Sequence, residues 1–214
     1  MGNKVPRVKG KLKLTAPTII EDSYMSRGIF PISGVDEAGR GPLAGPVVAA
    51  AVILPPGLII EGVNDSKKLN HNQREELALR IKTEALAYAY GIVDVEMIEE
   101  INILQAALLA MKTAVEGLQV VPQMVLVDGN RLPDLQSKAL AIKKGDSASH
   151  LIAAASILAK TKRDEIMLQL HKKYPLYGFD KHKGYGTKAH QTAIIKHGLC
   201  PQHRAKFVRR IYNG

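Results

Sequence analysis

Residues 32–54 constrain the fold more than any other stretch of this 214-residue chain. The stretch opens with four residues of strand type and closes with an apolar, β-branched run over 47–54 that has proline on both sides. Such a bounded run is typical of a buried strand. Two adjacent acids, Asp36 and Glu37, separate the first run from a turn rich in glycine and proline, which a helix or strand interior would not tolerate. We therefore expect both acids at the end of a first strand, beside a glycine turn and over a buried sheet.

The glycine turn admits more than one function. Gly39, Gly41 and Gly45 resemble a dinucleotide-binding loop only loosely, because their spacing is G-x-G-x-x-x-G, prolines interrupt it, and a strand rather than a helix follows. Two carboxylates would also repel a pyrophosphate. Two interpretations stay open: a charged turn between strands, or a divalent-metal site whose glycine amides contact a nucleic-acid backbone.

Composition indicates a globular protein in a reducing compartment. Hydrophobic residues make up 46% of the chain and charged residues 23%, which is not a disordered composition. The longest apolar run is far short of a membrane span, and no signal peptide is visible. Cys200 is the only cysteine, which excludes a disulfide framework and a cysteine metal cluster and favours the cytoplasm.

The net charge of +10 is concentrated at the two ends of the chain. Residues 172–214 contain ten Lys and Arg and one acid, and five more basic residues precede the first acid, Glu21. Basic ends around a carboxylate-bearing centre suggest a polyanion partner. A solvated basic surface is the alternative, and it is common.

The order of the predicted elements indicates an α/β fold. We expect a basic N-terminal arm over 1–28, loose until a partner binds, and one domain over 29–214 that ends in a basic helical segment from about 174. The first two strands follow each other directly, which favours an antiparallel pair. Strands are predicted over 32–36, 47–54, 87–93, 124–127 and 139–142, and helices over about 70–84, 98–118, 147–173, 188–197 and 203–212.

Four acids share one position in this arrangement. Asp36 and Glu37 follow the first predicted strand, Asp128 follows the fourth and Asp146 follows the fifth. Carboxylates at neighbouring strand ends converge at one edge of an open sheet, and together they repel unless a cation binds between them. Each acid alone has an ordinary alternative: Asp128 precedes Gly129 in good turn chemistry, and Asp146 suits an N-cap.

Several segments resemble the type 2 ribonucleases H, and the ribonuclease HII family in particular. They are V-D-E-A-G-R-G-P-L-A-G-P-V, N-D-S-K-K-L, I-N-I-L-Q-A-A-L-L-A-M, V-L-V-D-G-N, K-K-G-D with I-A-A-A-S-I-L-A-K, H-K-G-Y-G-T and H-R-A-K-F. They occur in the family's order and cover roughly residues 30–210. The basic arm departs from the common pattern, as does Glu100 before Ile101 and Asn102.

This resemblance implies a fold, a reaction and a cofactor. The fold is RNase H-like, with a mixed five-stranded sheet flanked by helices and a helical C-terminal extension. The reaction is endonucleolytic cleavage of RNA paired with DNA, including cuts 5′ to single ribonucleotides in duplex DNA, which leave 5′-phosphate and 3′-hydroxyl ends. The cofactor is Mg²⁺ or Mn²⁺, with two ions held by Asp36, Glu37, Asp128 and Asp146.

The resemblance also implies where the substrate binds. Gly39, Arg40 and Gly41 match a turn that meets the ribose 2′-hydroxyl, the group that distinguishes RNA from DNA. Tyr185 matches a tyrosine that recognises the junction between ribonucleotide and deoxyribonucleotide; without the resemblance it would be an ordinary loop aromatic. Candidate phosphate contacts, each of which is otherwise a solvated surface charge, are Lys67, Lys183 and Arg204.

Two other functions would also fit parts of the sequence. A non-catalytic nucleic-acid-binding module would explain the basic ends but not four clustered acids, which weaken phosphate binding. Another metal-dependent nuclease of the same fold, such as a resolvase, is the second rival. We expect a monomer that acts on RNA–DNA hybrids and ribonucleotide-containing duplexes and has no membrane partner. The chain end lacks the Q-x-x-L-x-x-F-F pattern of sliding-clamp ligands.

Overall fold

A computed structural model describes residues 15–212, without the side chains of residues 68 and 210–212. Its centre is a five-stranded mixed sheet in the order β3-β2-β1-β4-β5. The predicted antiparallel pairing of β1 with β2 is confirmed, β3 extends that antiparallel half, and β4 and β5 run parallel to β1. The strands are β1 (Ile32–Ala38), β2 (Val47–Ile53), β3 (Ala87–Val93), β4 (Met124–Asp128) and β5 (Lys138–Ile142).

Helices cover both faces of the sheet. The helices are α1 (Ile19–Met25), α2 (His71–Glu84), α3 (Val95–Glu116), α4 (Gly145–Ala148), α5 (His150–Lys173), α6 (Phe179–His182), α7 (Lys188–His197) and α8 (Ala205–Tyr212), with 3₁₀ turns at Ser66–Lys68 and Pro175–Tyr177. Helix α5 packs on one face together with α2, and α3 packs on the other. None of the described helices has the length and apolarity needed to cross a membrane.

Glycines in two strands let both helices approach the sheet closely. A Cβ on Gly34 of β1 would lie 2.2 Å from the backbone carbon of Leu151 in α5, and one on Gly91 of β3 would lie 1.9 Å from the carbonyl oxygen of Ala110 in α3. The facing surface of α5 is correspondingly small, with Ala153, Ala154 and Ala155 fully buried. Packing of backbone on backbone therefore fixes α5 against β1.

The predicted strands and helices are confirmed, with three local corrections. Strand β1 continues to Ala38, so Asp36 and Glu37 lie inside the strand and not after it, because both pair with β2. Helix α3 begins at Val95 and contains a non-helical residue, Asn102, at φ 68°. Asp146 is not an N-cap: it lies inside α4, and Ser149 caps α5 by accepting from the backbone N–H of Ile152.

The first fourteen residues of the predicted basic arm lie outside the described residues. In the second half of that arm, α1 places Glu21 in a buried position. Glu21 Oε1 accepts hydrogen bonds from the hydroxyl of Ser149 at 2.6 Å and the backbone N–H of Leu151 at 3.0 Å. This part of the segment therefore packs on the start of α5, and the prediction that it is loose is wrong for α1.

The C-terminal segment folds back onto the glycine turn between β1 and β2. Ala44 forms an isolated antiparallel bridge with His203, and the backbone N–H of Leu43 donates to the carbonyl of Gly184 at 2.8 Å. A third apolar cluster joins the turn to this segment, with Ala44, Met167, Tyr177, Phe179, Ile194, Cys200 and Val208 at its centre. Residues 174–212 therefore form one wall of the region around the turn.

Candidate active site

The structure brings the four predicted acids together at one edge of the sheet. Asp36 and Glu37 pair with Ala50 and Ala49 of β2, and β1 also lies beside β4, which ends at Asp128. Asp36 and Glu37 both interact electrostatically with Asp128, and Asp128 interacts with Asp146. Asp36 and Asp146 are only 5% and 6% exposed, so solvent does little to screen the repulsion of each from Asp128.

Each carboxylate is held by a partner within the protein. Asp36 Oδ1 accepts from the backbone N–H of Glu37 at 2.7 Å, and Asp128 Oδ1 accepts from that of Gly145 at 2.6 Å. Two salt bridges complete the set, Arg40 with Glu37 at 3.2 Å and Lys67 with Asp146 at 3.5 Å. Gly145 follows Lys144, which adopts a left-handed conformation at φ 56°, so this backbone bend connects Asp128 to Asp146.

Burial and like charges raise the pKa of three of the acids. Burial raises the pKa of Asp36 well above its usual range, and the Glu37 and Asp128 carboxylates raise it further. Burial also raises the pKa of Glu37, a rise that Arg40 partly offsets. The pKa of Asp146 is raised by burial and by Asp65 and Asp128, against the opposing effect of Lys67. The site therefore disfavours its own negative charge, which a bound cation would relieve.

The chemistry of this donor set fits a hard divalent cation, since Mg²⁺ and Mn²⁺ prefer carboxylate oxygens. Within residues 15–212, however, no three His, Cys, Asp or Glu side chains are arranged as a formed metal site. Asp128 accepts from an amide, and Glu37 and Asp146 each pair with a basic side chain. The ligand assignment stays a prediction.

Arg204 has a different place from the one predicted. Its side chain is fully buried, and its guanidinium donates hydrogen bonds to the turn's own carbonyls rather than facing solvent as a phosphate contact. The acceptors are the carbonyl oxygens of Gly39 at 2.7 Å, Arg40 at 3.2 Å, Pro42 at 2.9 Å and Gly45 at 2.7 Å. Arg204 braces the glycine turn from behind, and its position in a basic run concealed this role.

Arg163 of α5 is a second brace, which the sequence analysis missed. It is fully buried and donates to the carbonyls of Pro46 at 3.0 Å, Ala44 at 3.1 Å and Lys183 at 3.0 Å. It thus connects the glycine turn with the loop before Tyr185. In the sequence, Arg163 is one arginine after a helical stretch of small, apolar residues. That pattern does not reveal its hydrogen-bond partners.

Tyr185 lies beside the glycine turn and remains accessible. A Cβ on Gly41 would lie 3.9 Å from the ring carbon Cε1 of Tyr185, and the tyrosine is 44% exposed. The cationic groups of Lys160 and Arg163 each lie 5.9 Å from the ring centroid. The predicted turn and the predicted tyrosine are therefore adjacent.

The remaining predicted contacts lie around these groups. The side chain of Lys67 is 81% exposed and reaches Asp146, whereas half-buried Lys183 has a left-handed backbone at φ 50° and donates to the carbonyl of Asp180. A basic groove of about 340 Å³ adjoins Tyr185. Its lining residues, most of them unmarked by the sequence analysis, are His71, Arg74, Lys160, Asp164, Lys181, His182, Lys183 and Tyr185.

Comparison with known proteins identifies the family. The family model for ribonuclease HII matches residues 33–213. The chain belongs to the ribonuclease HII family. The ribonuclease HII of Acetivibrio thermocellus is 54% identical over 191 residues, which cover 89% of this chain and 75% of that protein. The ribonuclease HII of Idiomarina loihiensis is 59% identical over 176 residues, 82% of this chain and 94% of that protein.

Solved structures agree with this assignment to the ribonuclease HII family. Ribonuclease H2 of Pyrococcus horikoshii superposes with a TM-score of 0.69 at 26% identity and covers 85% of this chain and 97% of its own. The ribonuclease HII of Archaeoglobus fulgidus, solved in complex with PCNA, gives 0.68 at 26% identity, with 83% and 95% covered. A ribonuclease HIII, Bst-RNase HIII, solved with Mn²⁺, shares the fold at a TM-score of 0.63 and 18% identity, with 85% and 69% covered.

Proposed function

We propose that this ribonuclease HII family protein is an endoribonuclease that cleaves RNA paired with DNA and cuts 5′ to single ribonucleotides embedded in duplex DNA. One observation carries the proposal: a cluster of four acids adjoins the Gly39–Gly41 turn through the salt bridge of Glu37 with Arg40, and the same turn adjoins Tyr185. Acids that can bind a divalent cation supply phosphodiester hydrolysis, and the adjoining turn supplies contact with the sugar. Family membership supports the same reaction.

The proposed cofactor is Mg²⁺ or Mn²⁺, with two ions held by Asp36, Glu37, Asp128 and Asp146. When bound, such ions lower the pKa of an attacking water and offset charge on the leaving 3′ oxygen. The protein holds Asp36 and Glu37 on the central strand β1 and Asp128 on its neighbour β4, and Asp146 lies in α4. The products are a 5′-phosphate and a 3′-hydroxyl.

The glycine turn is proposed to read the ribose. Without side chains at positions 39 and 41, backbone groups can approach the 2′-hydroxyl closely. Arg204 and Arg163 hold the turn from behind, so its backbone stays in place when the sugar arrives. A site built around a hydroxyl rejects the analogue that lacks it, because its polar groups then remain unpaired.

Tyr185, Lys67 and Lys183 are proposed to place the duplex around this point. Tyr185 contacts the sugar beyond the scissile phosphate and so recognises the junction. Lys67 and Lys183 meet backbone phosphates, which position the substrate without reading its sequence. In this proposal the protein acts in the cytoplasm as a monomer, on ribonucleotides and RNA primers left in DNA.

Cleavage of a DNA duplex with one ribonucleotide tests the proposal. We expect a single cut on the 5′ side of the ribonucleotide that requires Mg²⁺ or Mn²⁺ and stops with EDTA, and no cut in an all-DNA duplex of the same sequence. Binding without cleavage in either metal would favour a non-catalytic module. Cleavage of branched all-DNA substrates instead would favour a resolvase-like nuclease.

A further inference from the structure

Three histidines surround the loop that carries Tyr185, and the proposed reaction uses none of them. Two lie at the ends of helices, His182 in α6 and His203 just before α8, and His190 lies in α7. The rings of His182 and His190 stack with centroids 4.3 Å apart. His190 and His203 are buried, at 0% and 5% exposure. A buried imidazole must satisfy both ring nitrogens, so the partners of each nitrogen define its protonation state.

The hydrogen bonds assign one tautomer to each of two histidines. His190 Nδ1 lies 2.9 Å from the carbonyl oxygen of Tyr185, which only accepts, so Nδ1 carries the proton. His203 Nδ1 lies 2.9 Å from the backbone N–H of Cys200 and 3.3 Å from the Cys200 carbonyl oxygen. We assign Nδ1 as the acceptor of the shorter contact, because the amide can only donate and the carbonyl already accepts from the backbone N–H of His203 at 3.0 Å. His203 Nε2–H then donates to His190 Nε2 at 3.1 Å. The two ends are assigned independently, and they agree at the contact between the rings.

We propose that His190 is a positioning residue for Tyr185, acting through a relay that runs from the Cys200 amide through His203 and His190 to the Tyr185 carbonyl. This inference rests on the proposed function, in which Tyr185 contacts the substrate. The relay begins in the segment that grips the glycine turn, where the backbone N–H of Arg204 donates to the Leu43 carbonyl at 2.8 Å. It therefore sets the place of the tyrosine relative to the turn.

The relay requires both histidines to be neutral. A proton added to His190 would put an N–H on Nε2, facing the Nε2–H of His203, and the two donors would repel. Burial lowers the pKa of His190 to about 4 and lowers that of His203. His182 faces the pair, and its pKa is also lowered by burial. The cluster is therefore suited to hold one geometry at neutral pH rather than to exchange protons.

Two substitutions at position 190 separate the two ends of the ring. His190→Asn keeps a donor at the place of Nδ1, and His190→Gln keeps a polar group near Nε2 but loses the donor to Tyr185. We expect His190→Gln to lower kcat/KM on the one-ribonucleotide duplex about five- to tenfold, the size expected for one hydrogen bond. His190→Asn should retain most of the activity. On a continuous RNA–DNA hybrid, we expect His190→Gln to cause a smaller loss than on the one-ribonucleotide duplex. His197→Gln, an exposed change in the same helix, is the matched control.

A double-mutant cycle with Tyr185→Ala decides whether His190 acts through the tyrosine. If it does, His190→Gln causes no further loss once Tyr185 is absent. An equal loss in both backgrounds, or no loss in His190→Gln alone, would overturn the inference. Wild-type enzyme and Tyr185→Ala in the same assay test the proposed function separately: its failure would show as no cleavage by wild type, or as no selective loss in Tyr185→Ala.

Nitrogen NMR of the wild-type protein tests the relay even if a variant fails to fold. In uniformly ¹⁵N-labelled protein at pH 7, we expect His190 to carry its proton on Nδ1 and His203 on Nε2. The opposite tautomer at His190, or averaging between the two, would contradict the relay.

Discussion

Asp36 illustrates at the scale of one residue why the site needs a cation. It is an acid inside a buried strand, and two more carboxylates interact with it. A hydrogen bond with Ser156 lowers its pKa but does not cancel the rise. A carboxylate in such a place weakens the fold whenever it is charged, so its presence indicates a functional rather than a stabilising role.

Asp36→Asn should therefore abolish cleavage and stabilise the fold at neutral pH. Asparagine keeps the shape of the side chain but not its charge. Losing a residue that only hydrogen-bonds to a metal ligand typically costs about 10- to 100-fold in metal affinity or activity. Losing a ligand itself should therefore reduce kcat by at least about a hundredfold. In EDTA we expect the midpoint of thermal unfolding to rise by about 2–4 °C at pH 7.5, as about 1 kcal/mol would give. Asp134→Asn, which changes a 96% exposed carboxylate, should alter neither property.

The pH dependence of this gain follows from the raised pKa of Asp36. Between the pKa of the unfolded chain and the higher pKa of the folded one, the folded protein binds more protons, so its stability falls as pH rises. The difference between variant and wild type should shrink as pH falls through the raised pKa of folded Asp36. It should vanish only below about pH 3, where Asp36 is protonated in the unfolded chain as well. A gain that is constant from pH 4 to 8 would mean that charge is not its cause.

At the scale of elements, the contact between β1 and α5 decides where the acids meet their supports. Strand β1 carries Asp36, and α5 carries Ser156 and Arg163. Gly34 lies against the backbone of Leu151, at the start of α5. A side chain there cannot be relieved by a rotamer change, because the opposing atoms are backbone.

Gly34→Ala should lower the free energy of unfolding by about 1–3 kcal/mol, the usual cost of overpacking a core. It should also reduce kcat, because the displaced helix carries the partners of Asp36 and of the glycine turn. Gly41→Ala is the control for stability, since a Cβ there meets only Tyr185, at 3.9 Å. Chemical denaturation of both variants measures the effect, and equal midpoints would show that β1 and α5 can separate freely.

At the scale of the whole molecule, charge and folding overlap in the C-terminal segment. One of its basic residues, Arg204, is buried. The nearby residues His203 and Val208 are buried too. Removing the segment would take away braces of the turn as well as charge. Its role in binding is better tested with exposed lysines, one inside the basic groove and one far from it.

Lys181→Gln should reduce the salt dependence of duplex binding. Lys181 lines the groove beside Tyr185, and each lost phosphate contact lowers the slope of log K against log salt by about 0.9. Lys138 begins β5, four pairs before the site end of the β4–β5 ladder, about 13 Å along the strand. Lys138→Gln should leave the slope unchanged, and equal slopes in the two variants would exclude a phosphate contact by Lys181.

The sequence alone predicted the five strands, the long helices and the convergence of the four acids. Strand and helix periods and the glycine turn are local signals, and the structure contains the corresponding elements. The acids were also predictable, because neighbouring strand ends converge at one sheet edge whatever the side chains in between. The family resemblance added the candidate roles of Tyr185 and the glycine turn, which periodicity does not provide.

Only the tertiary structure decided what the buried basic residues do. Arg204 and Arg163 lie 159 and 117 residues from the turn carbonyls they bind, Gly45 and Pro46, and no local pattern encodes such a pairing. The same holds for the relay of His203 and His190. Long-range partners are selected by the packing of elements that are stable only when packed together. The role of a buried guanidinium or imidazole can therefore be assigned only once its surroundings are known.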